Sequence, residues 1–142
     1  MKIPLKFNDK HLKVAASFRW KRFFGRIEFY VDTGSATSLI GPEDAKRLQI
    51  PAGSLPFQEN AKIGGSSLAL HKMENVVLTF RTEDEKSGNI DNDIFLAAHC
   101  NRDTDNSTES CPSILGTDFL KNRRIALYFH PSENIANFEK SE

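Results

Sequence analysis

The most informative segment of the chain is Phe29-Tyr30-Val31-Asp32-Thr33-Gly34-Ser35, an apolar strand that ends in an acid, a hydroxyl residue, a glycine and a second hydroxyl residue. A carboxylate at a strand end can project into a cleft. Gly34 lets the chain turn tightly and brings backbone N–H groups near that carboxylate. Hydroxyls at Thr33 and Ser35 can donate hydrogen bonds locally, which holds the loop and favours the ionised acid. Read alone, the same residues also fit an ordinary turn.

A second segment, Pro112-Ser113-Ile114-Leu115-Gly116-Thr117-Asp118-Phe119-Leu120, passes from an apolar run through a glycine into a short predicted helix. Alone it also fits a buried strand that leads into a helix cap. Between the two segments we predict a hairpin over Phe57 to Met73, with Gly64 and Gly65 at or near its tip because Gly-Gly suits a tight turn. A surface turn without function is the alternative for this hairpin. The ordered combination of the three features is more specific than any one of them.

That combination resembles the retropepsin-like aspartic peptidases, and the resemblance covers roughly residues 2 to 130. In that family the acid of the first motif, here Asp32, is the catalytic residue. The threonine that follows, here Thr33, ties together the active-site loops of two subunits. The resemblance therefore implies an aspartic endopeptidase whose active site is shared between two copies of the chain.

The same resemblance assigns the remaining site residues. Gly34 and Ser35 complete the active-site loop, and the segment Ile114-Leu115-Gly116 packs behind that loop as a supporting motif. The glycine-bearing hairpin becomes the flap that closes over substrate, with Ile63, Gly64, Gly65 and Ser66 at its tip.

One departure from the retroviral members affects the expected subunit contacts. Their catalytic motif usually continues with an alanine and then an aspartate, which pairs with an arginine after the second motif. Here those places hold Ser35, Ala36 and Thr117, so the pair is missing at both ends. The catalytic carboxylate is untouched, but dimer contacts cannot be copied from the retroviral enzymes. Ser35 instead resembles the two-lobed, pepsin-like relatives.

Short apolar runs broken by turn residues predict a mainly β fold: a single-domain, retropepsin-like acid-protease barrel over residues 1–142 with one or two short helices. The helices are predicted at Pro42 to Leu48 and Asp118 to Asn122. Polar stretches predict surface loops at Glu83 to Asn92 and Asn101 to Ser110. The predicted strands are Lys2 to Phe7, Leu12 to Trp20, Arg26 to Val31, Val76 to Phe80, Asp93 to His99 and Arg124 to His130.

Length and charge limit the classes of function. The 142 residues fit one domain, and 19 basic side chains balance 19 acidic ones, so no net field would draw the chain to nucleic acid or to a membrane. The basic and aromatic run at residues 18–26 could suggest a nucleic-acid patch, but strands that flank a basic turn give the same composition. Because we find no signal-peptide core or membrane-spanning run, we expect a cytoplasmic protein.

The cysteines and histidines do not form a recognisable metal motif. A zinc site could be imagined from His99, Cys100 and Cys111 with His71 or His130, but the spacing of the two cysteines matches no usual ligand pair. We therefore predict no metal. Cys100 and Cys111 could close a loop, but a lone pair in a chain without a leader is more often two free, structural thiols, and the sequence alone does not fix their disulfide state.

The expected chemistry needs two carboxyl groups, one as general base on water and one, protonated, to polarise the scissile carbonyl. The chain has no second Asp-Thr/Ser-Gly motif, so a homodimer must supply the second Asp32 by symmetry. We expect a polypeptide substrate that binds in extended form and no cofactor. Terminal strands, above all Asn134 to Phe138, are expected to contribute to the dimer. Because a Ser35 hydroxyl that donates to Asp32 favours the charged form, we also expect an acidic pH optimum.

Two other interpretations remain open. The chain could be a non-catalytic peptide-binding or dimerisation module of the same fold, in which Asp32 is a structural turn residue. The intact Asp32, Thr33 and Gly34 argue against that alternative. The chain could also be one domain of a larger ubiquitin-pathway protein or polyprotein. The natural substrate and its cleavage site cannot be read from the sequence.

Overall fold

The computed structural model describes residues 1–8, 10–63, 66–100 and 111–141. Within these residues the chain forms two β-sheets and two short α-helices, α1 (Pro42–Arg47) and α2 (Thr117–Asn122), with single 3-10 turns at Ala52–Ser54 and Pro131–Glu133. The strands are β1 (Lys2–Pro4), β2 (Lys6–Asn8), β3 (His11–Trp20), β4 (Phe23–Val31), β5 (Leu39–Ile40), β6 (Phe57–Ile63), β7 (Ser66–Arg81), β8 (Ser87–Cys100), β9 (Ile114–Leu115), β10 (Ile125–His130) and β11 (Ile135–Lys140).

The larger sheet has the order β2-β3-β4-β9-β5-β8-β7-β6, and a further pairing joins β3 to β7. Its central feature is the two-residue strand β9, which lies parallel to β4 and antiparallel to β5. Since β4 and β5 are joined by residues 32–38, this connection must pass around the end of β9. The sheet thereby places the segment after Val31 against the segment after Leu115.

The smaller sheet has the order β1-β11-β10 and contains both ends of the described chain. Ile3 lies opposite Phe138 in the β1–β11 pair, and Leu127 lies opposite Phe138 in the β10–β11 pair. Strand β11 is thus bonded on both sides within one chain. Asn134 to Phe138 therefore has no free strand edge to pair with a second subunit, and its contribution to a dimer stays a prediction.

The core lies between the sheets and the helices and is rich in phenylalanine. Phe80, Phe119 and Phe138 contact one another with ring centroids 6.2 to 6.4 Å apart, which joins strand β7, helix α2 and strand β11. Phe29 of β4 packs edge-on against Phe95 of β8 at 6.1 Å. These contacts anchor both motif segments, because Phe29 precedes Asp32 and Phe119 follows Gly116.

The mainly β fold predicted from the sequence is confirmed, and so are both short helices, with shifts of one residue at their ends. Two local predictions are wrong. Residues Lys2 to Phe7 form two strands instead of one. The predicted loop Glu83 to Asn92 contains only a tight turn, after which β8 begins at Ser87. The predicted loop Asn101 to Ser110 lies outside the described residues.

A helix that crosses a bilayer must be long and apolar. None of the helices in the described ranges is both long enough and apolar enough to do so.

Candidate active site

Asp32 stands immediately after strand β4 with its side chain exposed. Its backbone N–H donates to the carbonyl of Leu115 at 3.0 Å, which continues the β4–β9 pairing by one step and fixes where the side chain leaves the sheet. Its Oδ1 accepts the N–H of Gly34 at 2.9 Å. Among the described residues no other hydrogen bond or ion pair reaches this carboxylate. One oxygen is therefore held by the loop, and the other is open to solvent.

Ile114, Leu115 and Gly116 lie behind this loop. Ile114 and Leu115 are buried between β4 and β5, and Gly116 follows them against the loop backbone. A Cβ at Gly116 would overlap the carbonyl oxygen of Ser35 and lie 3.0 Å from the carbonyl oxygen of Thr37. Only a glycine lets the two segments approach this closely. Thr117 completes the contact, because its N–H donates to the Ser35 carbonyl at 2.8 Å.

Ser35 is in the loop, but its hydroxyl does not reach the Asp32 carboxylate. Its Oγ donates to the carbonyl of Thr37 at 2.8 Å and accepts the Thr37 N–H at 3.3 Å. The Ser35 N–H donates to the Asp32 carbonyl at 3.1 Å. The hydroxyl therefore holds the loop, as expected, whereas the expected donation to the ionised acid is replaced by a bond within the loop. Thr33 is exposed beside it.

A polar cluster under the loop was not predicted from the sequence. The Asp118 carboxylate accepts the Ser38 hydroxyl at 2.5 Å, the Ser38 N–H at 3.0 Å and the N–H of Phe119 at 2.8 Å. The buried Ser38 hydroxyl also accepts the Gly116 N–H at 2.7 Å. Asp118 thus links α2 to both motif segments. An acid in the first turn of a helix directly after a strand and a glycine was the available signal.

A second polar link joins the start of α1 to β9. The buried Ser113 hydroxyl donates to the Asp44 carboxylate at 2.6 Å and accepts the Gly41 N–H at 2.9 Å. The Ser113 carbonyl accepts the N–H of Tyr30 at 2.9 Å. The strand that ends in Asp32 is consequently tied to its neighbour by backbone and side-chain bonds together.

The predicted flap corresponds to the hairpin of β6 and β7. The two strands pair along their length up to Ile63 with Ser66, of which the structure describes the backbone. Gly64 and Gly65, the predicted tip, lie outside the described residues. The hairpin pairing ends at Phe57 with His71, within the predicted range, and β7 then continues to Arg81 as a partner of β8.

The residues considered for a metal site include one pair of histidines in contact. Cys111 is a free, buried thiol, and burial raises its pKa. His71 packs edge-on to His99 at 5.9 Å, and its Nδ1 lies 2.8 Å from the carbonyl oxygen of Leu55. Over the ranges that the structure covers, no three His, Cys, Asp or Glu side chains are grouped as metal ligands would be.

Comparisons with known proteins agree with the fold. Neither the scan against family models nor the search of curated proteins gave a match. Among solved structures, the chain is similar to a retropepsin-like aspartic protease from Rickettsia conorii, with a TM-score of 0.59 and 15% identity over 99% of this chain and 89% of that one. It also matches the retroviral protease-like domain of Ddi1 from Leishmania major, with a TM-score of 0.47 and 10% identity over 91% and 96% of the two chains. The chain therefore has the retropepsin-like fold.

Proposed function

We propose that this chain, as a single domain over residues 1–142, is an aspartic endopeptidase that acts as a homodimer. The observation that carries the proposal is the exposed Asp32 carboxylate, which has one oxygen bonded to the Gly34 N–H and the other without a partner among the described residues. The loop that presents it is held rigidly by Gly116, Thr117 and Leu115. A fixed, solvent-facing carboxylate is the arrangement that general acid–base catalysis requires.

A second carboxyl group is needed to complete the chemistry, and a second copy supplies it by two-fold symmetry. Two carboxyl groups brought together cannot both ionise cheaply, so the pair shares one proton. The fold favours this arrangement because Asp32 projects outward from the sheet, away from the core of its own chain. Thr33, beside it, then bonds to the loop of the other subunit.

Hydrolysis follows from the shared proton. The ionised Asp32 takes a proton from water while the water oxygen attacks the carbonyl carbon of the peptide. The protonated Asp32 of the partner subunit gives its proton to the carbonyl oxygen. The tetrahedral diol then collapses: one carboxyl group gives its proton to the nitrogen, a hydroxyl of the diol gives its proton to the other carboxylate as the C=O bond re-forms, and the C–N bond breaks. The pair again holds one proton.

The substrate is a polypeptide in extended conformation. The long β6–β7 hairpin provides an edge, β6, whose backbone groups can bind an extended chain as an added strand. Ile63, Gly64, Gly65 and Ser66 form the tip of this flap in the proposal. The side chains of the substrate would then alternate between the two sides of the cleft.

The direct test is cleavage of a peptide library from acid to neutral pH, read by mass spectrometry, with wild type and Asp32→Asn prepared in parallel. We expect sequence-selective cleavage by wild type and none by the variant. Equal cleavage by both proteins would contradict the assignment of Asp32. Absence of cleavage by a correctly dimeric wild type would favour the non-catalytic module of the same fold.

A further inference from the structure

Two of the four histidines, His71 and His99, lie side by side on one face of the larger sheet. Strands β7 and β8 pair with His71 opposite Ala97 and with Ala69 opposite His99, so the two histidines are diagonal neighbours whose side chains leave the same face. Their ring centroids are 5.9 Å apart and the ring planes stand at 83°. The register of two long strands fixes this pair, which spacing along the chain does not reveal.

The hydrogen bond of His71 determines which of its ring nitrogens is free. Its Nδ1 lies 2.8 Å from the carbonyl oxygen of Leu55. Because a carbonyl only accepts, Nδ1 carries the proton of the neutral ring and Nε2 keeps a lone pair. Among the described residues, the buried side-chain polar atoms without a partner are those of Trp20 and Arg123, so Nε2 of His71 reaches solvent. A ring that donates to a carbonyl through one nitrogen is oriented for metal binding through the other.

The ring of His99 is exposed and rests on Gly53 of the first 3-10 turn. A Cβ at Gly53 would lie 3.0 Å from Cε1, 3.0 Å from Nε2 and 3.3 Å from Cδ2 of that ring. Distances so nearly equal mean that Gly53 meets the flat side of the imidazole. The lone pair of a ring nitrogen lies in the ring plane, so Gly53 supports the ring without covering it. Within the part of the chain that the structure describes, no hydrogen bond or ion pair engages His99.

The separation of the two rings suits a single metal ion. Metal–nitrogen bonds of about 2.0–2.1 Å put each ring centroid about 3.2 Å from the ion. Two rings on one tetrahedral ion then have centroids about 5.2 Å apart, and a wider angle at the ion extends this to about 6.4 Å. The observed 5.9 Å falls within that range. Zn²⁺, Cu²⁺ and Ni²⁺ bind imidazole nitrogen well, whereas Mg²⁺ and Ca²⁺ prefer oxygen.

We propose that His71 and His99 together bind one divalent ion of the Zn²⁺, Cu²⁺ and Ni²⁺ class through their free ring nitrogens, with water in the remaining positions. Over the described ranges no third His, Cys, Asp or Glu is grouped with them, so the protein supplies two ligands. A structural zinc takes four protein ligands, so this site instead fills reversibly. The inference goes beyond the proposed function, because neither histidine belongs to the Asp32 loop or to the residues that support it.

The position of the pair shows what a bound ion would hold together. Phe57 with His71 is the last cross-strand pair of the β6–β7 hairpin, and the two rings pack edge-on at 5.7 Å. His99 belongs to β8. An ion on both histidines therefore joins the root of this hairpin, the proposed flap, to the neighbouring strand. It also stabilises the folded chain, because the unfolded chain does not hold the two rings together.

The test is a titration of the full chain with Zn²⁺ at neutral pH, followed by the ring C–H NMR signals of all four histidines. We expect the signals of His71 and His99 to shift together, with one dissociation constant and saturation at one ion per chain. His11 and His130 are internal controls, and His130 is a strict one because Glu133 lies 4.0 Å away. Their signals should shift only at Zn²⁺ concentrations at least about tenfold higher. Mg²⁺ should shift neither pair.

Two variants separate the loss of a ligand from the loss of its support. His99→Gln removes one ligand at an exposed position, so the protein should fold, and Zn²⁺ should bind at His71 at least about tenfold more weakly. Gly53→Ala keeps both ligands but places a methyl group 3.0 Å from the His99 ring, which must turn away, so binding should also weaken. His130→Gln, the matched control, should bind like wild type. Zn²⁺ should raise the unfolding temperature of wild type more than that of His99→Gln.

Histidine signals make the result specific, since zinc at the Asp32 carboxylate or at a thiol does not shift them. Signals of His71 and His99 that shift with different dissociation constants, or only where the two control histidines shift, would mean adventitious surface binding and would overturn the site. Wild-type affinity in His99→Gln would overturn it as well. Peptide cleavage by wild type and Asp32→Asn is measured without added metal, so the proposed peptidase and the metal site stand or fall separately.

Discussion

Asp32 and Asp118 both lie just after a strand, but their carboxylates accept different numbers of hydrogen bonds. Each follows a strand of the same parallel pair, Asp32 after β4 and Asp118 shortly after β9. The Asp32 carboxylate accepts one hydrogen bond, from its own loop, and is exposed. The Asp118 carboxylate accepts three, two from Ser38 and one from Phe119.

The difference shows how the same residue type serves chemistry in one place and structure in another. A carboxylate whose two oxygens are both held by fixed donors is less available to accept a proton from water. A carboxylate with one held oxygen and one free oxygen is both oriented and available. The number of donors that reach each acid, more than its position in the sequence, separates the proposed catalytic residue from the supporting one.

The largest expected effect is on activity at Asp32. Asp32→Asn removes the proton acceptor but keeps the shape and the bond from the Gly34 N–H, so kcat/KM should fall by about 1,000-fold or more. The free energy of unfolding should change by less than about 0.5 kcal/mol, since the side chain is exposed. Cleavage of one fluorogenic peptide and urea unfolding measure the two quantities. If Asp32→Asn instead lowered the free energy of unfolding by several kcal/mol, Asp32 would be a structural residue like Asp118.

The opposite pattern is expected at Asp118. Asp118→Ala leaves the buried Ser38 hydroxyl and two backbone N–H groups without their acceptor, which should cost about 3 kcal/mol of unfolding free energy. Asp118→Asn keeps one acceptor oxygen and should cost less. Residual activity per folded dimer should stay within about tenfold of wild type, because no proton transfer passes through Asp118. An Asp118→Asn protein of normal stability and no activity would indicate a chemical role instead.

The two glycines near these acids should differ in the same way, with Gly116 affecting stability and Gly34 affecting activity. Gly116→Ala forces a methyl group against the Ser35 carbonyl and should destabilise the fold by about 2 kcal/mol. A Cβ at Gly34 would meet only the Asp32 Oδ1 at 3.2 Å, so Gly34→Ala should leave stability nearly unchanged and reduce activity by disturbing the carboxylate. Equal unfolding temperatures for the two variants would show that the close contact at Gly116 relaxes freely.

The smallest effect is expected at Ser35. Since its hydroxyl bonds to Thr37 and not to the carboxylate, Ser35→Ala should cost about 1 kcal/mol of stability and leave both limbs of the pH–rate profile in place. The profile itself should be bell-shaped, because activity needs one proton on the Asp32 pair. A shift of the upper limb toward neutral pH in Ser35→Ala would show that the hydroxyl reaches the carboxylate in the active enzyme.

The sequence was sufficient to predict the mainly β fold and the loop that carries Asp32, because both depend on local patterns: apolar alternation for strands, and Asp-Thr-Gly at a strand end. It was insufficient where the partner of a segment decides its structure. Residues 87–92 look like a loop by composition, yet they form part of β8 because β7 pairs with them as far as Arg81 with Ser87. Asn92 is buried there, and its amide is satisfied by the Ile90 carbonyl at 3.2 Å.

The residues that support the Asp32 loop were missed for the same reason. Ser38 and Asp118 are eighty positions apart, and nothing local to either shows that the sheet will bring them together. The edge at β10 became apparent only once β11 was placed between β1 and β10, since a single sequence does not reveal strand order. An edge strand can be identified only when the order of strands in the sheet is known. A strand itself can be predicted from the alternation of apolar and polar residues along the sequence.

The measurement that tests the central claim most directly is subunit mixing. Wild type and Asp32→Asn are combined at a fixed total concentration, allowed to exchange subunits, and assayed on one peptide. If each active site needs one Asp32 from each chain, only dimers of two wild-type subunits cleave. Activity per wild-type subunit then falls to about half at a 1:1 ratio and to about one tenth at a 1:9 ratio. Activity per wild-type subunit that stays constant as Asp32→Asn is added, with exchange verified, would contradict the shared two-aspartate site.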